Sequence, residues 1–222
     1  MDFERARFNM VEQQIRPWDV LDPQVLDLLF VIRREEFVPP AFRSIAFTDM
    51  EIPLDVGGGR SGEVMLAPKV EARLLQAAAP RAGESVLEIG TGSGYMAALL
   101  SHGAQRVLSF EIRPELAAFA RDNLSRAGIR SVSVEQGNGL DAVAQGAKFN
   151  LIVLSGSVPF VPEPLLAALQ PGGRLVAVVG EQPVMTAQLI TRTSDSGYAA
   201  EALFDTLASP LKGFPQKERF VF

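Results

Sequence analysis

The chain has 222 residues, 47% of them hydrophobic, which is enough to bury the core of one large domain or two small ones. Its 21 Lys and Arg against 26 Asp and Glu leave a net charge of −5, which argues against a general electrostatic grip on nucleic acid. With no cysteine and a single histidine, His102, disulfides and thiolate metal sites are excluded, and no conventional zinc site is expected.

Residues 3–47 carry a helical pattern, with Val25, Leu26, Leu28, Leu29 and Ile32 recurring at spacings of three and four. Asp22-Pro23 reads as an N-cap followed by proline at the first helical position, and Pro39-Pro40 as the stop of that helix. The apolar stretch 25–32 carries Asp27 and falls far short of the roughly 20 residues of a membrane span. Asp2, Glu4, Arg5 and Arg7 have no apolar run behind them, so no secretory signal is read there and a cytoplasmic protein is expected. Residues 52–68 are rich in glycine, with Gly57, Gly58, Gly59 and Gly62, and read equally as a surface connection or an active-site lid.

From Lys69 onward strands and helices alternate. The pattern predicts helix 70–79, strand 85–89, helix 95–102, strand 106–111 and helix 114–127, the last capped by Gly128. Strand 131–135, a short helix near 140–144, strand 150–154, helix 163–169 and strand 174–179 follow, the last strand after the turn Pro171-Gly172-Gly173. This alternation means a doubly wound, Rossmann-like α/β fold with a mainly parallel sheet. Beyond Gly180, β-like runs at 188–193, 200–207 and 219–222 read as an antiparallel C-terminal edge. One domain is expected: an N-terminal helical extension with the glycine-rich loop (1–68), a cofactor-binding α/β core (69–180) and the β edge (181–222).

The sharpest motif is Val86-Leu87-Glu88-Ile89-Gly90-Thr91-Gly92-Ser93-Gly94-Tyr95, at the first strand-to-helix turn of the alternating region. Small residues let the chain turn sharply and let a ligand lie against bare backbone, facing the N–H groups of the next helix. The plain alternative is a tight turn without a ligand. A dinucleotide fingerprint would need its third glycine where Tyr95 stands, so a dinucleotide oxidoreductase is the least favoured reading. Glu111 closes the next strand about 20 residues on, where a carboxylate accepts both hydroxyls of an adenosine ribose. Asn138, in Gln136-Gly137-Asn138-Gly139, has a carbonyl oxygen to accept from an adenine amino group and an amide to donate to a ring nitrogen. An ordinary Asn-Gly turn is the equal alternative there. His102 reads as a helix-end cap and Trp18 as a packing or interface residue.

Glu88 followed by Gly-x-Gly-x-Gly resembles the adenosylmethionine signature of class I methyltransferases. Over about 24–180 the chain further resembles the protein-L-isoaspartate O-methyltransferase family, which methylates the isoaspartyl carboxylate of damaged aspartyl and asparaginyl residues. Arg34-Glu35-Glu36-Phe37-Val38-Pro39 with Ala41-Phe42, Ile52-Pro53-Leu54, the glycine-rich loop, segment 86–95, Phe110-Glu111, Gly137-Asn138-Gly139 and segment 169–173 carry the resemblance. It implies S-adenosyl-L-methionine as cofactor, held by Glu88, Gly90, Thr91, Gly92, Ser93, Gly94, Glu111, Ile112, Asn138 and Gly139, and no metal. It also implies an isoaspartyl-containing protein or peptide as partner. Such an acceptor is already ionised at neutral pH, so alignment and exclusion of water suffice without a general base.

Two departures stand out. Asn138 replaces the family's aspartate. The family's serine or threonine that faces the substrate carboxylate is replaced by Leu66, in Val64-Met65-Leu66-Ala67-Pro68, so residue 66 is expected only to line the substrate. If no other donor takes its place, the loss is about 1–3 kcal/mol, or roughly tenfold to a hundredfold in rate. Ser61 is the substitute to test if the loop folds inward. The apolar 64–66 segment also fits a methyltransferase acting on a small molecule or nucleobase, and a non-catalytic adenosylmethionine-binding interaction module is the third reading.

Overall fold

A computed structural model describes residues 2–216, and the β-like run expected at 219–222 lies outside them. Helix α1 (Phe3–Asn9) is capped by Asp2, whose carboxylate accepts from the Arg5 N–H at 3.1 Å. It runs on into a π-helical stretch, Met10–Ile15, that buries Met10, Val11 and Ile15. Helix α2 (Pro23–Val31) starts as the sequence predicts, with Asp22 accepting from the Gln24 N–H at 2.9 Å and Pro23 in the first turn.

The end of α2 differs from expectation: the helix stops at Val31, well before Pro39-Pro40. The reason is tertiary. Arg34 is completely buried, donating to the carbonyl of Ala46 at 3.0 Å and of Leu66 at 2.6 Å, and it pairs with Glu71. A straight continuation of α2 is replaced by the short 3₁₀ turn Arg34–Glu36, and the buried hydrogen bonds outweigh local helix preference. Pro40 then opens a 3₁₀ stretch, Pro40–Ile45, instead of closing a helix.

Strands β1 (Ile52–Pro53) and β2 (Val64–Met65) pair antiparallel and pinch off the glycine-rich loop between them. The alternating region then follows in order: α3 (Pro68–Ala78), β3 (Ser85–Ile89), α4 (Tyr95–Gly103), β4 (Arg106–Glu111), α5 (Pro114–Arg126), β5 (Val132–Gln136), α6 (Gly139–Ala144), β6 (Phe149–Val158), α7 (Glu163–Ala167) and β7 (Leu169–Glu181). Strands β8 (Val184–Arg192) and β9 (Tyr198–Asp205) complete a seven-stranded sheet in the order β5-β4-β3-β6-β7-β8-β9. Pairings from β5 to β7 are parallel, and β7-β8-β9 is an antiparallel meander, the expected edge.

Period-two alternation along the strands divides the core between the two faces of the sheet. Val86, Val107, Leu151, Val153, Val176 and Val178 join the N-terminal helices, α3, α4 and α5. Their neighbours Leu87, Ile152, Leu154, Leu175 and Ala177 pack on the other side with α6 and α7. Strand order reverses at β3, whose neighbours β4 and β6 lead off in opposite directions. In open parallel sheets ligands bind outside the carboxyl ends of the strands at this point. Among the described residues no helix is long and apolar enough to cross a membrane.

Removing the Arg34 guanidinium strands a buried carboxylate and two carbonyls. Arg34→Met is therefore expected to lower unfolding free energy by about 3–5 kcal/mol in denaturant titration. A loss below about 1 kcal/mol would contradict that role.

Candidate active site

At the end of β3 the chain reverses through Gly90, Gly92 and Gly94, with φ of 93°, 54° and 84°, values that L side chains rarely adopt. The turn is tied to β4 by main-chain bonds: the N–H groups of Gly90 and Thr91 both donate to the Phe110 carbonyl, at 2.9 and 3.2 Å. Glu111, the last residue of β4, completes the tie. One carboxylate oxygen accepts from the Gly92 N–H at 2.8 Å and the other from the Arg113 N–H at 3.0 Å. Burial pushes this carboxyl above the usual range, and the main-chain donors partly offset the shift. Each carboxylate oxygen has two acceptor positions, so one remains on each, in a residue that lines the cleft.

The floor of the cleft comes from neighbouring strand ends. Gly139 sits so close to β3 that a Cβ there would lie 2.5 Å from Ile89 Cγ1, so only glycine lets the β5–α6 connection close down. Asn138 caps α6: its side-chain oxygen accepts from the Leu140 N–H at 3.1 Å and its amide donates to the Gly213 carbonyl at 3.2 Å. Its amide is thus oriented by the protein itself, with one acceptor position left on the oxygen. Ile112, 42% exposed, gives the lip an apolar surface.

A strap formed by residues 209–212 lies over the strand ends. The Ser157 N–H donates to the Ser209 carbonyl and the Leu211 N–H to the Ser157 carbonyl, both at 2.9 Å. Leu211 then packs so that its Cδ2 is 2.6 Å from where a Cβ on Gly90 would stand, and 2.8 Å from that of Gly156. Across the mouth, Glu63 receives Lys212 at 2.6 Å and Arg113 at 2.9 Å, joining strap, β1–β2 hairpin and the end of β4.

Behind the turn lies a buried polar chain. Glu88 has no solvent exposure and accepts from the hydroxyls of Ser109 at 2.6 Å and Ser155 at 2.7 Å; Ser109 also meets the Thr91 hydroxyl at 2.5 Å. Burial pushes the Glu88 carboxyl up to about 8 against the pull of the two serines, so the neutral acid predominates at neutral pH.

The residues singled out from sequence thus fall into distinct groups. Gly90, Gly92, Glu111, Ile112, Asn138, Gly139 and Leu66 line the cleft. Glu88, Thr91 and Ser93 line a small pocket that adjoins the cleft and shares Leu66, Gly90 and Gly92 with it. Gly94 packs against Ala120, with 3.3 Å between the two Cβ positions. Ser61 lines neither space; its hydroxyl is turned into its own loop, accepting from the Glu63 N–H at 3.0 Å. In the glycine-rich loop, Gly57, Gly58, Gly59 and Gly62 have open space around them, while the stem residues Leu54, Glu63, Val64 and Leu66 wall the cleft. Sequence reasoning missed Ser155 and the strap. The run Ser155-Gly156-Ser157 interrupting an apolar strand was a usable signal for the first; the strap had none. His102 sits in the last turn of α4 beside a separate cleft with Asp27 and Arg81, and Trp18 carries the Lys69 ammonium 3.9 Å from its ring centre.

A glycine turn at the switch point, with a carboxylate on the next strand, defines a nucleoside-binding α/β protein of the methyltransferase class. The chain belongs to the protein-L-isoaspartate(D-aspartate) O-methyltransferase family, whose model matches residues 5–212. A protein-L-isoaspartate O-methyltransferase of Aeropyrum pernix is 36% identical over 215 residues, covering 95% of this chain and 81% of that protein. A protein-L-isoaspartate O-methyltransferase 2 of Marinobacter nauticus is 38% identical over 213 residues, covering 96% and 95%. Among solved structures, a Plasmodium falciparum protein-L-isoaspartate O-methyltransferase in complex with S-adenosyl-L-homocysteine superimposes with a TM-score of 0.75 at 19% identity, covering 96% of this chain and 99% of that one; it matches in fold. The family match runs past both ends of the 24–180 stretch that carries the resemblance in sequence motifs.

In the unfolded chain the Glu88 carboxyl titrates near its ordinary 4.5, and in the fold near 8. Its neutral form contributes stability that is fully present below the lower value and is lost as pH rises through the higher one. Glu88→Gln keeps a neutral, hydrogen-bonding end. It is expected to leave Tm nearly unchanged near pH 5 and to raise it above wild type at about pH 8.5. Thermal denaturation at both values checks this, and a wild-type advantage in the alkaline sample would contradict it.

Proposed function

We propose that the protein transfers the methyl group of S-adenosyl-L-methionine to the isoaspartyl carboxylate of damaged polypeptides. The observation that carries this reading is the Glu111 carboxylate, held at the switch point with one free acceptor position on each oxygen, beside a turn of bare backbone. Family membership over 5–212 supports the reaction, and the bound S-adenosyl-L-homocysteine of the Plasmodium relative supports the cofactor. It also favours the protein acceptor over a small molecule or nucleobase.

The residues present fit such a cofactor. Glu111 would accept the two ribose hydroxyls, Ile112 and the Asn138 amide would hold the base, and the main chain at Gly90 and Gly92 would hold the methionine portion, all of them residues that line the cleft. When bound, the cofactor supplies an electrophilic sulfonium methyl. The acceptor arrives as a carboxylate, ionised at neutral pH from a reference pKa of roughly 4, so the protein need not remove a proton. Its tasks are to align the carboxylate oxygen with the methyl and to keep water out, and the apolar walls at Leu54, Val64 and Leu66 serve the second. Glu88, neutral and hydrogen-bonded behind the turn, holds Thr91 and Ser155 in place through its serine contacts without adding a charge. The chain is proposed to work as one methyltransferase domain in the cytoplasm, with the N-terminal helices sharing a core with α3, α4 and α5.

Incubation with methyl-labelled S-adenosyl-L-methionine and a peptide carrying one isoaspartyl residue tests the reaction. Base-labile label is expected on that peptide and not on its normal aspartyl isomer. Equal or absent labelling of the two, alongside clear cofactor binding, would contradict it.

A further inference from the structure

The acceptor carboxylate needs a hydrogen-bond donor in the cleft, and Leu66 supplies none. The cleft is flanked by a second groove, which runs past Glu51, Lys69 and Thr206, and the two share three residues: Leu66, Ser209 and Pro210. These three residues stand at the boundary between the groove and the cleft. Of the three, Ser209 alone has a hydroxyl. Ser209 is also two residues from Leu211 along an extended strap paired to Ser157, so both side chains leave the same face. That face is known from Leu211, whose methyl reaches Gly90.

Other donors line the cleft but are held away from the wall shared with the groove: Ser155 gives its one proton to Glu88, the Asn138 amide is turned to Gly213, and Lys212 and Arg113 are drawn to Glu63 at the mouth, though the amide and the ammonium each keep a further N–H. Ser61 donates nothing into either space. Among the described residues no partner takes the Ser209 hydroxyl, while its carbonyl is fixed by the Ser157 N–H and keeps the residue in place.

We infer that the Ser209 hydroxyl donates to the isoaspartyl carboxylate, taking over from the strap the role that residue 66 does not fill. This rests on the isoaspartyl reading above. The donor has moved across the cleft, from the hairpin wall to the opposite wall, and the apolar Leu66 now faces it.

The test is a double-mutant cycle on the full chain, with steady-state transfer to the isoaspartyl peptide and, separately, S-adenosyl-L-homocysteine affinity by calorimetry. Ser209→Ala is expected to reduce kcat/KM by roughly tenfold to a hundredfold, with the nucleoside affinity unchanged within about twofold. Ser209→Thr, which keeps the hydroxyl, should retain most of the rate. Leu66→Ser should recover much of the loss in the Ser209→Ala background, and alter the wild-type rate by less than about threefold, a non-additivity expected of two residues serving one contact. An undiminished rate in Ser209→Ala, or a loss matched by equally weakened nucleoside binding, would overturn the assignment while leaving the reaction standing. A wild type that binds the nucleoside and methylates no isoaspartyl peptide would overturn both.

Discussion

The carboxylate of Glu111 grips the glycine turn. By accepting from Gly92 it ties the turn after β3 to the tip of β4, and by accepting from Arg113, two residues on, it fixes its own orientation at the cleft. Gly139 and Gly90 serve the same end by different means. One permits the β5–α6 connection to close against Ile89, and the other gives the turn its left-handed backbone under Leu211.

Buried charge on the face of the sheet that carries the N-terminal helices shapes the other wall. Arg34 is fixed by Glu71 and holds the Leu66 carbonyl directly, so the N-terminal extension positions one wall of the cleft. Glu88 sits on β3, a strand covered on both faces, and burial there keeps its carboxyl neutral. The wall built by the hairpin and the strap over the strand ends meet around one cleft, with the Glu88 acid in the pocket beside it, although they come from three separate parts of the chain.

Much of this was legible in sequence where the signal was local. Strands β3 and β4 are short, mostly apolar segments bounded by turn residues, and their predicted limits match. Asp22-Pro23 is a self-contained capping signal, and it holds. Strand β7 begins earlier than predicted because Leu169 already pairs with Phe149, and the Pro171-Gly172-Gly173 turn is absorbed as an irregularity within the ladder. The end of α2 was misplaced because what terminates it, the reach of Arg34 to Ala46, Leu66 and Glu71, is invisible to a helical pattern. In the site, glycine spacing and a carboxylate at a strand end announce themselves. The strap does not, because Ser209 and Leu211 acquire meaning only once Ser157 draws them across the strand ends. Ser61 stands near residue 66 in sequence, but its hydroxyl is spent within its own loop.

The most direct test of the account is a crystal structure of the protein grown with S-adenosyl-L-homocysteine. The account predicts both ribose hydroxyls within hydrogen-bonding distance of the Glu111 carboxylate and the homocysteine portion along Gly90 and Gly92. A nucleoside bound away from the ends of β3 and β4, or a ribose held by some other side chain, would contradict it.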